Sequence, residues 1–232
     1  MRKLILISAA TLALLVIACG GDDDGDTTAT PTTAASAEPT ASTGGQSPGE
    51  CADLQFPITA GELAWALVLP DQLPDLGDYT IEDAEGDAPL INVLKGGDVI
   101  GTIELLQFPA DGNVDVTKAV VEGLQEWAEG FYASVATDRE SAGGTFESDD
   151  PEEASLGEAC GVRYGYTVTD DSDEVIESYA GYVTHDGDRM FLFVAIYDAA
   201  IAEEQGFASA SALQEFEPEF KTLMASLDIP PG

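Results

Sequence analysis

The sequence predicts an α+β fold, an antiparallel sheet covered by helices on both faces. Three observations predict it. From Val162 to Thr169, Val162, Tyr164, Tyr166 and Val168 alternate with Arg163, Gly165, Thr167 and Thr169, the period of a half-buried strand. Met190 to Tyr197 (MFLFVAIY) is apolar at every position, which demands cover on both sides of the strand. Val116 to Thr137 spaces Val116, Val120, Leu124, Trp127, Phe131 and Val135 by three and four residues, the stripe of an amphipathic helix that can supply such cover.

The remaining elements follow in chain order. Leu63 to Leu69 (LAWALVL) reads as a strand ended by Pro70 and Pro74, and Tyr79 to Glu82 as a short one. Leu90–Leu94 and Val99–Phe108 flank Lys95-Gly96-Gly97-Asp98, a hairpin signal. Asp115 stands as N-cap before the long helix. Val162–Thr169 and Glu174–Thr184 flank the turn Asp170-Asp171-Ser172-Asp173. Asp186-Gly187 then leads into Met190–Tyr197, which makes a three-strand meander. Ala199 to Gln205 reads as a short helical turn. Leu213, Phe216, Phe220, Leu223 and Leu227 mark a final helix with Pro218 in its first turn or at a kink.

Three regions divide the chain. Residues 1–18 read as an export signal: Arg2 and Lys3, then an apolar run from Leu4 to Ala18, too short to span a bilayer. The run ends in Val16-Ile17-Ala18-Cys19-Gly20, which resembles a bacterial lipobox. The resemblance implies that Cys19 is joined to diacylglycerol and becomes the mature N-terminus, a lipid anchor on the extracytoplasmic face of the cell membrane. Residues 19–50 carry that Cys and a tether of Thr, Gly, Ala, Asp, Ser and Pro. With no aromatic or branched aliphatic side chain from Gly20 to Glu50, the tether has nothing to bury. All 18 aromatic residues lie in 51–232, long enough for one globular domain.

Once Cys19 is set aside, Cys51 and Cys160 remain. In an exported protein an even pair invites a disulfide, although the spacing is equally that of two separate thiols.

The element order, with Tyr179-Ala180-Gly181-Tyr182, Arg189-Met190-Phe191-Leu192-Phe193 and a helix ending Met224-Ala225-Ser226-Leu227, resembles the Mog1/PsbP-like α/β/α sandwich over roughly 90–232. The resemblance implies an accessory or assembly role and carries no ligand residues with it.

The formal net charge is −36, with 44 Asp and Glu against 8 Lys and Arg. That excludes nucleic-acid binding through counterion release, and it selects a partner, protein or ligand, that is neutral or basic where they meet. No Ser-His-Asp order with a G-x-S-x-G elbow, no HExxH and no phosphate-binding glycine loop is present, and the lone His185 reads as a solvated residue of a hairpin turn. Asp111, Asn113, Asp115 and Glu122 occupy positions 1, 3, 5 and 12 of an EF-hand loop, a candidate Ca2+ site. Val116 stands where that loop needs Gly, so a loop with an acidic first turn is the competing reading. Asp170, Asp171, Asp173 and Glu174 form a second acidic turn. Tyr164, Tyr166, Tyr179 and Tyr182 lie on neighbouring strands and could line an aromatic ligand groove, or belong to the core. The function expected is thus a non-catalytic binding or accessory module on a membrane anchor. The alternatives are a secreted hydrolase working with two carboxylates and a cation-binding surface protein.

Overall fold

A computed structural model describes residues 65, 68–84, 89–205 and 209–229. They belong to one compact unit, Pro48–Gly232. The strands are β1 (Tyr79–Asp83), β2 (Leu90–Lys95), β3 (Asp98–Pro109), β4 (Thr145–Ser148), β5 (Glu152–Leu156), β6 (Ala159–Thr169), β7 (Val175–His185) and β8 (Arg189–Asp198). The helices are α1 (Val120–Ser141), α2 (Ala199–Gln205), α3 (Ala210–Glu215) and α4 (Glu217–Ala225). The sheet order is β1-β2-β3-β8-β7-β6-β4, with β5 also on β6, and every pairing is antiparallel.

The hairpins form where the turn residues permit them. Between β2 and β3, Lys95 pairs with Asp98 across Gly96 and Gly97 at φ +64° and +93°. Two left-handed residues in succession match the twist of the flanking strands, and glycine adopts them without a Cβ clash. The β6–β7 turn instead uses Asp170, whose side chain accepts from the backbone N–H groups of Ser172 and Glu174 at 2.8 and 3.0 Å.

Alternation on β8 sorts the core into two clusters. Phe191, Phe193 and Ala195 join Ile91, Val93, Ile103, Leu105 and Tyr182 with Leu213, Phe216, Phe220, Leu223 and Met224 of the α3–α4 segment. Met190, Leu192 and Val194 join Val162, Tyr164, Tyr166, Val168, Tyr179 and Val183 with Leu124, Ala128, Tyr132 and Val135 of α1. The sequence expectation that neighbouring β8 residues face opposite ways agrees with this. Each Phe, Leu or Val so buried contributes about 1.5–3 kcal/mol.

Several expectations are corrected. Trp65 is in a 3₁₀ turn, and Val68 and Leu69 donate their N–H groups to the Trp65 carbonyl, so the described part of 63–69 is a turn rather than a strand. Trp65 and Val68, three apart, are both buried, which is the helical period. The long helix starts at Val120, not Val116. Asp115 closes a tight turn onto Thr117 instead of capping the helix, and Val116 is left exposed. The final helix is two pieces that meet at Phe216: Pro218 has no N–H and sits in the first turn of α4. Strands β4 and β5 had no sequence signal.

Candidate functional site

The four tyrosines do not form a groove. Strand parity sends Tyr164, Tyr166 and Tyr179 to the α1 side and Tyr182 to the other, against Phe220. All four are buried, at 0, 3, 4 and 1% exposure. Phe131 of α1 packs on Tyr164, Tyr166 and Tyr179, and Trp127 meets Tyr164 edge-on at 5.2 Å. The Tyr164 and Tyr179 hydroxyls bond each other at 2.9 Å, and Tyr166 donates to Glu177. Burial pushes all four phenols up. They are core residues with their polar ends satisfied internally, Tyr182 excepted: its hydroxyl is buried and meets no hydrogen-bond partner among the described residues.

The Glu177 carboxylate is 9% exposed and takes Arg139 in two hydrogen bonds, 2.6 Å from Nε and 3.1 Å from the terminal nitrogen. Its hydrogen bond holds the Arg139 guanidinium up despite burial. This fork clamps the C-terminal turn of α1 to β7 and β6.

On the opposite side of β6 and β7 a cleft of about 260 Å³ is lined by Asp149, Arg163, Thr167, Ser178, Leu213 and Glu217, among others. Arg163 is its charged centre. It donates through Nε to Glu217 and through its terminal nitrogen to Asp149 at 2.9 Å. Burial pulls its guanidinium down, and the two carboxylates more than offset this. An arginine already held by two acids presents no net positive charge, so the cleft is a polar notch without an anion-binding centre.

The candidate calcium loop is not assembled. Asn113 donates its side-chain amide to the Pro109 carbonyl, and Asp115 accepts from Thr117 N and Oγ1 at 3.1 and 2.6 Å. Glu122 lies 3.9 Å from Lys118 on the first turn of α1. Asp111 is exposed. Among the described residues no three His, Cys, Asp or Glu side chains converge as cation ligands, the 170–174 turn included. The missing Gly at the sixth position, Val116, is the sequence signal for this outcome.

His185 is 6% exposed on the last residue of β7, not a solvated turn residue. Its Nδ1 accepts from Gly187 N at 3.1 Å, so the ring proton is on Nε2, which is buried with no partner among the described residues. Burial pushes the imidazole down, against the pull of Asp186. With Nδ1 occupied by its own hairpin, the ring has no free base to offer a nucleophile.

Cys160 is the second residue of β6, and its carbonyl accepts from Thr184 Oγ1 at 2.7 Å. Cys19 and Cys51 lie outside the described residues, as does the tether.

No protein-family model matches the chain, and no curated protein matches it either. Solved structures similar to it include cyanobacterial PsbP (CyanoP) from Synechocystis, at 12% identity and TM-score 0.42 over 66% of this chain and 82% of that one. LpqN, involved in cell envelope biogenesis of Mycobacterium tuberculosis, is similar at 14% identity and TM-score 0.41, over 69% of this chain and 83% of its own. A Bacteroides thetaiotaomicron protein is similar at 12% identity and TM-score 0.31, over 66% of this chain and 42% of that one.

Proposed function

We propose that this chain is an extracytoplasmic lipoprotein, held to the membrane by diacylglycerol on Cys19. Its domain, a sheet layered between α1 and the α3–α4 pair, serves as a non-catalytic binding or accessory module for a neutral or basic partner. The observation that carries the anchor is the apolar run Leu4–Ala18, closed by Cys19 and followed at once by a tether with nothing to bury. Support for a binding role comes from the way the domain's reactive groups are spent on one another. Five of its six basic side chains are ion-paired, the buried tyrosines are core, and the one histidine is tied into its own turn. The domain works in this reading without metal or cofactor, and a Cys51–Cys160 disulfide fastens its start to β6. In the chain-entropy picture a loop of roughly 100 residues closed this way gains about 4–5 kcal/mol.

The test is detergent partitioning of the exported wild type and of Cys19→Ala, with mass spectrometry of a non-reduced digest of the same samples. The wild type is expected in the detergent phase, Cys19→Ala in the aqueous phase, and the Cys51 and Cys160 peptides linked in both. A Cys19→Ala chain that stays with detergent after processing overturns the anchor, and two free thiols overturn the bridge.

A further inference from the structure

Helix α1 packs chiefly on β6, β4 and β7, and Leu106 of β3 and Ile196 of β8 lie partly buried at the margin of the core cluster it covers. Past β7, the sheet face that α1 covers continues as a strip whose rows are set by the register. Gly181 of β7 lies beside Val194 of β8, then Glu104 of β3, then Leu90 of β2. The next row runs Tyr179, Ile196, Thr102 and Asn92, and the row on the other side runs Val183, Leu192 and Leu106. Leu90, Asn92, Thr102, Leu106 and Ile196 are only half-buried, unlike the residues beneath α1. Phe131 of α1, half-buried and stacked on Trp127 at 5.6 Å and 14°, packs on Tyr179 at the β7 end of the strip.

Glu104 stands at the centre of this strip. Its neighbours across the sheet are Leu90 and Val194, and its same-face neighbours along β3 are Thr102 and Leu106. It makes no hydrogen bond or ion pair among the described residues; burial pushes its carboxyl up, and its charge in turn acts on the buried Tyr179 hydroxyl. The domain has no spare cation to give it. Lys95, Lys118, Arg139, Arg163 and Arg189 are held by Glu215, Glu126, Glu177, Glu217 and Asp186, while Lys221 is on α4, which belongs to the other cluster. A half-desolvated carboxylate without a cationic partner, on a face otherwise made of Leu90, Leu106, Val194 and Ile196 with the uncharged Asn92 and Thr102, costs stability that a cation from outside would offset.

We propose that this strip docks an apolar segment of a partner protein and that one lysine or arginine of that segment pairs with Glu104. The choice of occupant rests on charge. The chain's net charge of −36 repels anionic partners, and the strip offers apolar contact around a single unpaired anion. A partner segment also suits its extent, because the half-buried residues spread over three strands rather than closing around a small molecule.

The site rests on the binding-module reading but can fail without it. The experiment uses the intact chain in lipid nanodiscs and two blocked, fluorescently labelled peptides, Val-Leu-Lys-Leu-Val and its counterpart with norleucine for lysine. Binding is followed by anisotropy. The lysine peptide is expected to bind saturably, and Glu104→Gln to weaken it about tenfold or more. The norleucine peptide should bind wild type as poorly as the lysine peptide binds Glu104→Gln. Glu129→Gln, which removes an exposed acid of α1, is expected to change nothing beyond twofold. Equal losses in the two variants, equal binding of the two peptides, or no binding by either overturns the site. Glu104→Gln is nearly isosteric and removes an unpaired charge, and its melting temperature, expected at or above wild type, shows that it folds. Turnover of a substrate by the purified chain would overturn the binding-module reading instead.

Discussion

Nε2 of His185 is buried at the end of β7 and meets no acceptor among the described residues, while Nδ1 is occupied by the Gly187 N–H. A second proton on this ring would have to displace that N–H, which ties the turn before β8. Because burial depresses the folded-state imidazole below its ordinary value, the unfolded chain binds the proton first as pH falls. The stability that the neutral ring confers is therefore complete above about pH 6.5 and drains away below it, by up to about 1.4 kcal/mol per pH unit until the folded ring also protonates. Urea midpoints of wild type and His185→Gln at pH 7.5, 6.5 and 5.5 check this. The wild type should lose ground to the variant at the lowest pH, where both share the same acidic background, and a constant difference would contradict the assignment. The sequence placed this histidine in a solvated turn because Asp186, Gly187 and Asp188 surround it. What it could not convey is that β7 runs one residue further and carries the ring inside. Tyr182 differs: its face was legible, since it is an odd number of positions from Tyr179 on one strand, and parity alone separates the two.

Among the elements, β5 and its turn show how tightly the C-terminal segment is set on the sheet. Gly157 follows β5 with φ +59°, and a Cβ there would lie 2.1 Å from the Leu227 carbonyl oxygen. Gly187, at φ +94° in the β7–β8 turn, has nothing within 4 Å of such a Cβ. Alanine at either position bears the left-handed backbone penalty of about 1–2 kcal/mol. Only Gly157→Ala must also push the chain after α4 away from β5, where Gly157 N donates to the Met224 carbonyl. Thermal melts should therefore rank Gly157→Ala well below Gly187→Ala, and equal losses would mean that the C-terminal segment yields freely. The sequence made β2, β3, β6, β7 and β8 legible because apolar alternation or full apolarity marks each of them. Strands β4 (TFES) and β5 (EEASL) carry no such pattern. They are strands because β6 offers its free edge to both, and that is a property of β6. Glu104 was hidden for a related reason: an alternating strand reads as one face in and one face out, and only the reach of α1 decides how much of the outer face is roofed.

At the scale of the whole molecule, the few cations are consumed locally and the acids are left to repel one another. Five basic side chains in seven ion pairs tie α1, α3, α4 and two hairpins to their neighbours, against 44 acidic residues in the chain. Several of these pairs are largely exposed and add little stability each. Added salt weakens them, but it also screens the far more numerous acid–acid repulsions, over a Debye length that shrinks from about 30 Å at 0.01 M to about 3 Å at 1 M. Raising sodium chloride from 0.01 to 0.5 M at pH 7.5 should thus raise the melting temperature, by about 2–4 °C for each kcal/mol of repulsion removed. A fall would mean that the pairs outweigh the repulsion. The seam between β3 and β8 has a different consequence. It joins Pro109 to Arg189 and Thr102 to Ile196, partners roughly eighty residues or more apart. A chain that emerges N-terminus first therefore completes the β1–β2–β3 hairpins long before their inner edge finds β8. During that interval β3 presents an open row of backbone donors and acceptors next to Leu105 and Leu106, a template for pairing with another copy. A nascent chain stalled within β7 would hold two unfinished sheets instead of a smaller version of one.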